Sequence, residues 1–278
     1  MEIFMRFPGG KPKAFTMSYD DGVETDVRLI EIMKKYGLYG TFNINAGLFV
    51  REGTTFPPES YSRRMSRSKI LACYTDSGME VACHGYTHCF MDKMPVARCT
   101  YEVLRDREEL EAMFGTIIRG MAYPYGTTND SVVAALAASG IVYCRTTVST
   151  HDFRIPTDWL RLPATCHHCD PEVLTITDKF VEEKPVRDAR LFYLWGHSYE
   201  FLRDNNWDLI ENIAKKVSGH DDVWYATNIQ IYDYVKAYNS LEFNAVATKV
   251  HNPTATTVFF VKDRKQYTVA PGQTLDLI

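Results

Sequence analysis

The feature that most constrains this chain is a regular alternation of short apolar runs with amphipathic stretches along most of its length. Ala14–Tyr19 is a strand-like run that stops at Asp20-Asp21-Gly22. Asp26–Tyr36 follows at helical spacing behind Thr25 and closes at Gly37. Gly40–Ala46 and Met79–His84 read as strands, with a polar, Pro-containing loop over Arg51–Ser66 and a helix over Ser68–Thr75 between them. The long helix Val96–Phe114, the strand Ile117–Tyr123, the helix Ser131–Ser139 and the strand Ile141–Thr146 continue the series. Helices Pro171–Glu183 and Trp207–Val217 flank the apolar strand Leu191–Trp195, and Val223–Ala226 with Ile229–Tyr238 complete it. Strands separated by helices pair in parallel, and a series of this length predicts an α/β fold whose sheet closes, or nearly closes, into a barrel.

The texture changes after Leu241. Phe243–Val250, Thr256–Lys262, Gln266–Val269 and Thr274–Leu277 are short alternating segments divided by Asn252-Pro253, Asp263 and Pro271-Gly272 turns. So few residues cannot hold an independent core. The expected organisation is a barrel over 1–240 with a β appendage over 241–278 packed on it.

In a parallel α/β barrel the chemistry sits at the carboxyl ends of the strands. Those ends carry Asp20-Asp21, His84-Gly85-Tyr86-Thr87-His88, Tyr123-Pro124-Tyr125-Gly126 and Gly196-His197. Each element has a bland reading, since Asp-Asp-Gly is ordinary turn punctuation and a His pair four apart is often incidental. Their convergence on one face is the stronger signal. A carboxylate with two imidazoles makes a facial ligand set that leaves open positions, as a catalytic metal site requires. Asp20 and Asp21, being adjacent in a strand, point in different directions, so one can bind metal while the other faces water.

The motifs Ser18-Tyr19-Asp20-Asp21-Gly22, His84-Gly85-Tyr86-Thr87-His88, Tyr123-Pro124-Tyr125-Gly126 and Leu194-Trp195-Gly196-His197 resemble, in order and approximate spacing, those of the polysaccharide deacetylase family (carbohydrate esterase family four, the NodB-homology domain). The resemblance implies a distorted (β/α)7 barrel. It implies a divalent metal held by Asp21, His84 and His88, zinc first, with cobalt or nickel as alternatives. Asp20 would be the general base, His197 the general acid, and the Tyr125 backbone N–H an oxyanion donor. A cation can lower the pKa of its water from ~15.7 towards ~7 and polarise a carbonyl, and an amine leaves only when protonated, which calls for an acid with a near-neutral pKa.

The chain departs from the family at Ala122, where many members carry an Arg that orients the base. Arg119 lies further back in the sequence, and Arg161 is the candidate to reach the base from another strand. Tyr123, Pro124, Trp195 and Arg161 are the expected substrate contacts, with Tyr86 and Trp224 as further aromatic candidates. Cys166-His167-His168-Cys169 reads as incidental, because four consecutive residues cannot wrap one ion unaided and no second pair stands at finger spacing. Cys83 and Cys89 read as inert thiols, and His151, His220 and His251 as surface residues.

The net charge of −4 and interspersed signs give no case for nucleic acid. No apolar run reaches the ~18–20 residues of a membrane span. An N-terminus without an apolar leader, together with seven cysteines, suggests reduced thiols in a cytoplasm. The expected activity is deacetylation of an N- or O-acetylated sugar or oligosaccharide. The alternatives are hydrolysis of a cyclic imide or other small amide on the same fold, and a carbohydrate-binding barrel without catalysis. Oligomeric state is not legible.

Overall fold

The computed structural model describes residues 2–277. Strands Lys13–Asp20, Gly40–Ile44, Glu80–Cys83, Gly120–Ala122 and Tyr143–Ser149 lie side by side in chain order, all parallel. Helices Asp26–Lys35, Arg67–Tyr74, Val96–Phe114 and Asp130–Ala138 connect them. Leu162–Ala164 pairs with Tyr143–Ser149, and Cys166–His167 pairs with Arg190–Gly196, which returns to Lys13–Asp20. Between those two short ladders stands Thr165 alone, whose N–H donates to the Tyr193 carbonyl at 2.9 Å. Residues 162–167 therefore act as one stave that bridges the two ends of the sheet, and the path runs through seven parallel staves. Val223–Tyr225 adds to the lower part of Lys13–Asp20, below the point where Gly40–Ile44 begins to pair.

The α/β architecture follows from burial on both faces. All eight residues of Lys13–Asp20 are buried, as a central parallel strand covered by helices requires. Phe15, Met17 and Tyr19 pack outward with Leu29, Met33 and Phe42 under the helices. The alternate residues turn into the barrel, where polar side chains pair with one another: Asn43 Nδ2 donates to Ser18 Oγ (2.9 Å), Thr16 Oγ1 to Asn228 Oδ1 (2.8 Å), and Asn228 Nδ2 to the Tyr193 hydroxyl (2.6 Å). A buried polar interior is tolerable only with its hydrogen bonds made.

Two features differ from the sequence expectation. The stave at residues 162–167 was not anticipated, because its ladders are three and two residues long and Pro163 interrupts the pattern. The appendage also recruits the opposite terminus. Ile3–Arg6 pairs antiparallel with Val258–Lys262, which pairs with Lys265–Val269, while Glu242–Phe243, Lys249–His251 and Thr274–Asp276 form a second small sheet. Val250, Phe260, Val269 and Leu277 are buried between them. Among the described residues, no helix is long and apolar enough to cross a membrane.

Candidate metal centre and catalytic site

The carboxyl ends of the staves bring Asp20, Asp21, His84, His88 and His197 together. His84 Nε2 lies 3.8 Å from both Asp20 Oδ2 and Asp21 Oδ1, and His88 Nε2 lies 3.7 Å from Asp21 Oδ1. Adjacent strand residues would normally diverge, but Asp21 has φ of 91°, and this turn swings its carboxylate back beside that of Asp20. His88 and Tyr125 also have positive φ, at 51° and 58°. Three non-glycine residues held in a costly backbone region at one place is the pattern expected of a functional site, since each costs of order 1–3 kcal/mol.

Asp21, His84 and His88 suit a divalent cation. Their ligand atoms lie within 4.8 Å of one another, and the imidazole–carboxylate set is typical of zinc with open positions. His84 Nδ1 lies 2.8 Å from the Ala122 carbonyl, so a proton on Nδ1 is donated there and the Nε2 lone pair faces the cluster. The loop is held from below by two buried carboxylates one turn apart on Val96–Phe114. Asp106 accepts from the backbone N–H of Ala46 (2.7 Å) and of His84 (2.9 Å), and Glu102 accepts from Thr87 N (2.7 Å) and Oγ1 (2.9 Å). Burial pushes Asp106 up to about 7, with the Ala46 and His84 donors acting against it. From the long loop, Arg64 Nη2 donates to Asp21 Oδ1 at 2.8 Å and Nη1 to Asn45 Oδ1 at 2.6 Å. Asn45 Nδ2 in turn donates to the Gly85 carbonyl at 2.6 Å.

Asp20 has a different environment. Its buried carboxylate is gripped by the buried guanidinium of Arg145, which donates to both oxygens, while Asn43 Nδ2 donates to Oδ1 at 2.8 Å. The Arg145 guanidinium also lies 4.3 Å from the centre of the Trp195 ring. Burial favours the neutral acid, but Arg145, His84 and His197 outweigh it, so the carboxyl is held well below the usual range. His197 Nε2 faces Asp20 Oδ2 at 3.9 Å, and its Nδ1 lies 3.3 Å from Glu200 Oε2. Burial disfavours the imidazolium, yet the Glu200 and Asp20 carboxylates raise His197 above its ordinary value. The arrangement sets a carboxylate held below its usual range and an imidazole held above its own, 3.9 Å apart, beside a cation-binding set.

Residues 8–144 match the family model described as polysaccharide deacetylase. This part of the chain is similar to the polysaccharide deacetylase family. Among solved structures, a Mycobacterium smegmatis protein designated a polysaccharide deacetylase aligns at 19% identity and TM-score 0.61, over 86% of this chain and 96% of that one. A family 4 carbohydrate esterase from Streptomyces lividans, in complex with acetate, aligns at 18% identity and TM-score 0.50, over 77% and 91%. At these identities the likeness is one of fold. The Streptococcus pyogenes deacetylase PplD, in complex with acetate, aligns at 19% identity and TM-score 0.45 over 52% of this chain, which spans only 61% of that structure. No curated protein matches the chain.

Within this deacetylase-family frame the structure relocates several expected residues. Arg145, not Arg161, reaches Asp20. Arg161 is engaged with Asp130 and, at 3.4 Å, with Asp158, and it lines a groove of about 590 Å³ that also touches Gly126, Thr127 and Thr146. Tyr123 is buried and donates its hydroxyl to the Leu160 carbonyl at 2.8 Å, which removes it from the substrate-facing set. Pro124 is also buried, against Gly85, where it shapes the loop rather than offering a surface. Trp195 is 8% exposed, with one face under Arg145 and His167 edge-on at 4.4 Å, so it supports the site from behind. The exposed aromatic surface is elsewhere: Tyr125 stacks on Phe90 at 3.8 Å and meets His88 edge-on at 4.6 Å. Arg145, Arg64 and Phe90 are the residues that sequence reasoning missed. Arg145 did leave a signal, since a charge inside a strand buried on both faces needs a buried counter-ion.

Proposed function

We propose that the protein is a divalent-metal-dependent hydrolase that removes an acetyl group, N-linked or O-linked, from a sugar or oligosaccharide. The observation that carries this reading is the pairing of an Arg145-clamped Asp20 with His197 beside the Asp21–His84–His88 set. A bound cation, zinc first in order of donor preference, supplies Lewis acidity toward the acyl carbonyl and acidifies water. Asp20, ionised and fixed by Arg145 and Asn43, accepts the proton of the attacking water at its carboxylate. The Tyr125 backbone N–H, in the turn whose ring meets His88, donates to the oxygen that becomes negative, a contact of a kind worth about 3–4 kcal/mol. His197 then transfers its Nε2 proton to the departing nitrogen or oxygen, while Glu200 holds Nδ1. Tyr125 and Phe90 offer a flat apolar face beside this point for a sugar ring, and Arg161 lines a groove that reaches Gly126, the neighbour of Tyr125.

The cyclic-imide and small-amide reading drew support from the lack of a family Arg at Ala122. Arg145 meets that need from the next strand, so the reading has no residue in its favour. The test is acetate release from N-acetyl sugars, O-acetyl xylan and cyclic imides, using metal-stripped protein before and after zinc or cobalt. Metal-dependent acetate from a sugar is the expected result. Turnover of imides alone would move the activity to the amide branch, and silence on every substrate with metal bound would leave a binding barrel.

A further inference from the structure

We infer that His167, His168, Cys169 and Glu200 form a second zinc site, separate from the Asp21–His84–His88 centre and completed by a residue from the following strand–helix unit. The obstacle visible in the sequence is that consecutive residues cannot surround an ion. The fold removes it. His167 ends its short strand, the chain turns at His168 and Cys169, and Glu200, in Ser198–Arg203, comes in from the neighbouring stave. One ligand atom from each of the four lies within 4.8 Å of all the others. His167 Nε2 and His168 Nε2 stand 3.2 and 3.4 Å from Glu200 Oε2, against the roughly 3.3 Å that separates N and O ligands around tetrahedral zinc. Two imidazoles, a thiol and a carboxylate make a zinc donor set, and four protein ligands leave no open position, as in structural rather than catalytic sites.

His168 supplies an independent observation. It is fully buried between Tyr19 and Phe201, at ring separations of 5.6 and 4.1 Å, yet neither ring nitrogen has a hydrogen-bond partner. A buried imidazole left unpaired is costly, and a metal on Nε2 satisfies it. The ring is held there by the absence of a side chain at Gly196, where a Cβ would stand 2.0 Å from His168 Nδ1. Two existing contacts bear on binding: the Cys169 N–H donates to His167 Nδ1 at 3.0 Å, where ligation through Nε2 places a proton, and Glu200 Oε2 accepts from the His197 backbone N–H at 3.1 Å and faces His197 Nδ1 at 3.3 Å, so the carboxylate must ligate the metal while keeping its hold on His197. Cys169 is exposed at the end of the turn, so its backbone can release that hydrogen bond without unpacking the core. The thiol, which burial and the Glu200 and Asp204 carboxylates push up to about 11 in the metal-free protein, is deprotonated when it ligates zinc.

The thiolate makes the site separable from the other centre, which contains no sulfur. Metal-stripped full-length protein, its Cys169→Ser variant and its His88→Ala variant are each dialysed against zinc, and bound metal is counted by mass spectrometry. The expected result is two zinc ions for the unaltered protein and one for each variant. With cobalt, a thiolate-to-metal charge-transfer band appears in the unaltered protein and in His88→Ala, and is absent from Cys169→Ser. A zinc count that is the same in the unaltered protein and in Cys169→Ser, or a band that survives in Cys169→Ser, overturns the proposal. A check that needs no variant is iodoacetamide labelling of Cys169 read by peptide mass spectrometry, which zinc should slow by about tenfold or more. An unchanged labelling rate also overturns it. The cobalt band and the Cys169 labelling rate do not depend on the acetyl-hydrolase reading, and failure of the Asp21–His84–His88 centre alone would lower the zinc count of the unaltered protein and of Cys169→Ser equally.

Discussion

Arg145 and Asp20, 125 residues apart in the chain, form a buried ion pair in which one guanidinium donates to both oxygens of one carboxylate. Removing one member of such a pair leaves an uncompensated buried charge, at a cost of about 3–5 kcal/mol. Arg145→Ala is therefore expected to destabilise the protein by that amount in chemical denaturation. Asp20→Asn, which leaves a polar isostere, should cost less stability but lower kcat by about 10²–10⁴, with zinc stoichiometry unchanged. Near wild-type turnover in Asp20→Asn would remove Asp20 as the base.

The same pair fixes a pH dependence. Because the folded-state value of Asp20 is depressed, its contribution to stability is complete above the unfolded carboxyl value of about 3.9. It is lost only as pH falls through the lower folded value. Denaturation midpoints of the wild type and Asp20→Asn, compared across pH, should keep a constant difference above about pH 4 and converge below it. Convergence at neutral pH would show that Asp20 is not held ionised.

His197 has the opposite sign. It must carry a proton to act as an acid, and Glu200 and Asp20 hold its value above the ordinary one, so kcat/KM is expected to fall as pH rises through that raised value. Glu200→Gln removes the largest contribution raising it, and the alkaline limb should move to lower pH. His197→Ala should harm amide substrates more than activated esters, whose leaving groups depart without protonation. Equal losses on both would exclude the acid role.

Zinc held at Asp21, His84 and His88, as proposed, would favour the folded chain, so the melting temperature should rise with zinc concentration. At one hundred times the dissociation constant, the gain is about 2.7 kcal/mol. Asp21→Asn with His84→Ala and His88→Ala should abolish the zinc response of this centre, read in a Cys169→Ser background to isolate it. A full response in the combined variant would place this metal elsewhere.

Phe90 and Tyr125 stack face to face at the rim, both exposed. Replacing Phe90 by Ala removes an aromatic contact worth about 0.5–1.5 kcal/mol and is expected to raise KM for a sugar substrate severalfold with kcat nearly unchanged. A fall in kcat at constant KM would mean that Phe90 positions the Tyr125 loop instead.

Gly196 faces the His168 ring with no room for a methyl group. Gly196→Ala should cost about 1–3 kcal/mol through overpacking, checked by urea denaturation. A neutral effect would show that the His168 ring is free to move.

The motif residues of the candidate site were legible because they are local: Asp20-Asp21 and His84–His88 each sit within a few residues at the end of a strand-like run, and strand–helix alternation places such ends on one face of a barrel. Arg145 was not legible as the partner of Asp20. The sequence pointed to Ala122 as the vacant position and to Arg161 as its replacement, but a guanidinium is long enough to serve a carboxylate from more than one stave, and only the ring order decides which one does. Tyr123 shows the same limit from the other direction, since its place in the motif said nothing of whether its ring faces the cleft or the core.

By itself the sequence determined the α/β class, the parallel staves, the β appendage and the cluster of carboxylates and imidazoles, all of which follow from periodicity and short-range spacing. Tertiary structure alone decided how residues 162–167 bridge the sheet, that Ile3–Arg6 joins Val258–Lys262, that Arg145 neutralises Asp20, and that Glu200 meets His167, His168 and Cys169. Each of these is a contact between segments far apart in the chain. Its identity depends on which strands become neighbours and which way their side chains alternate, information that no local run of residues carries.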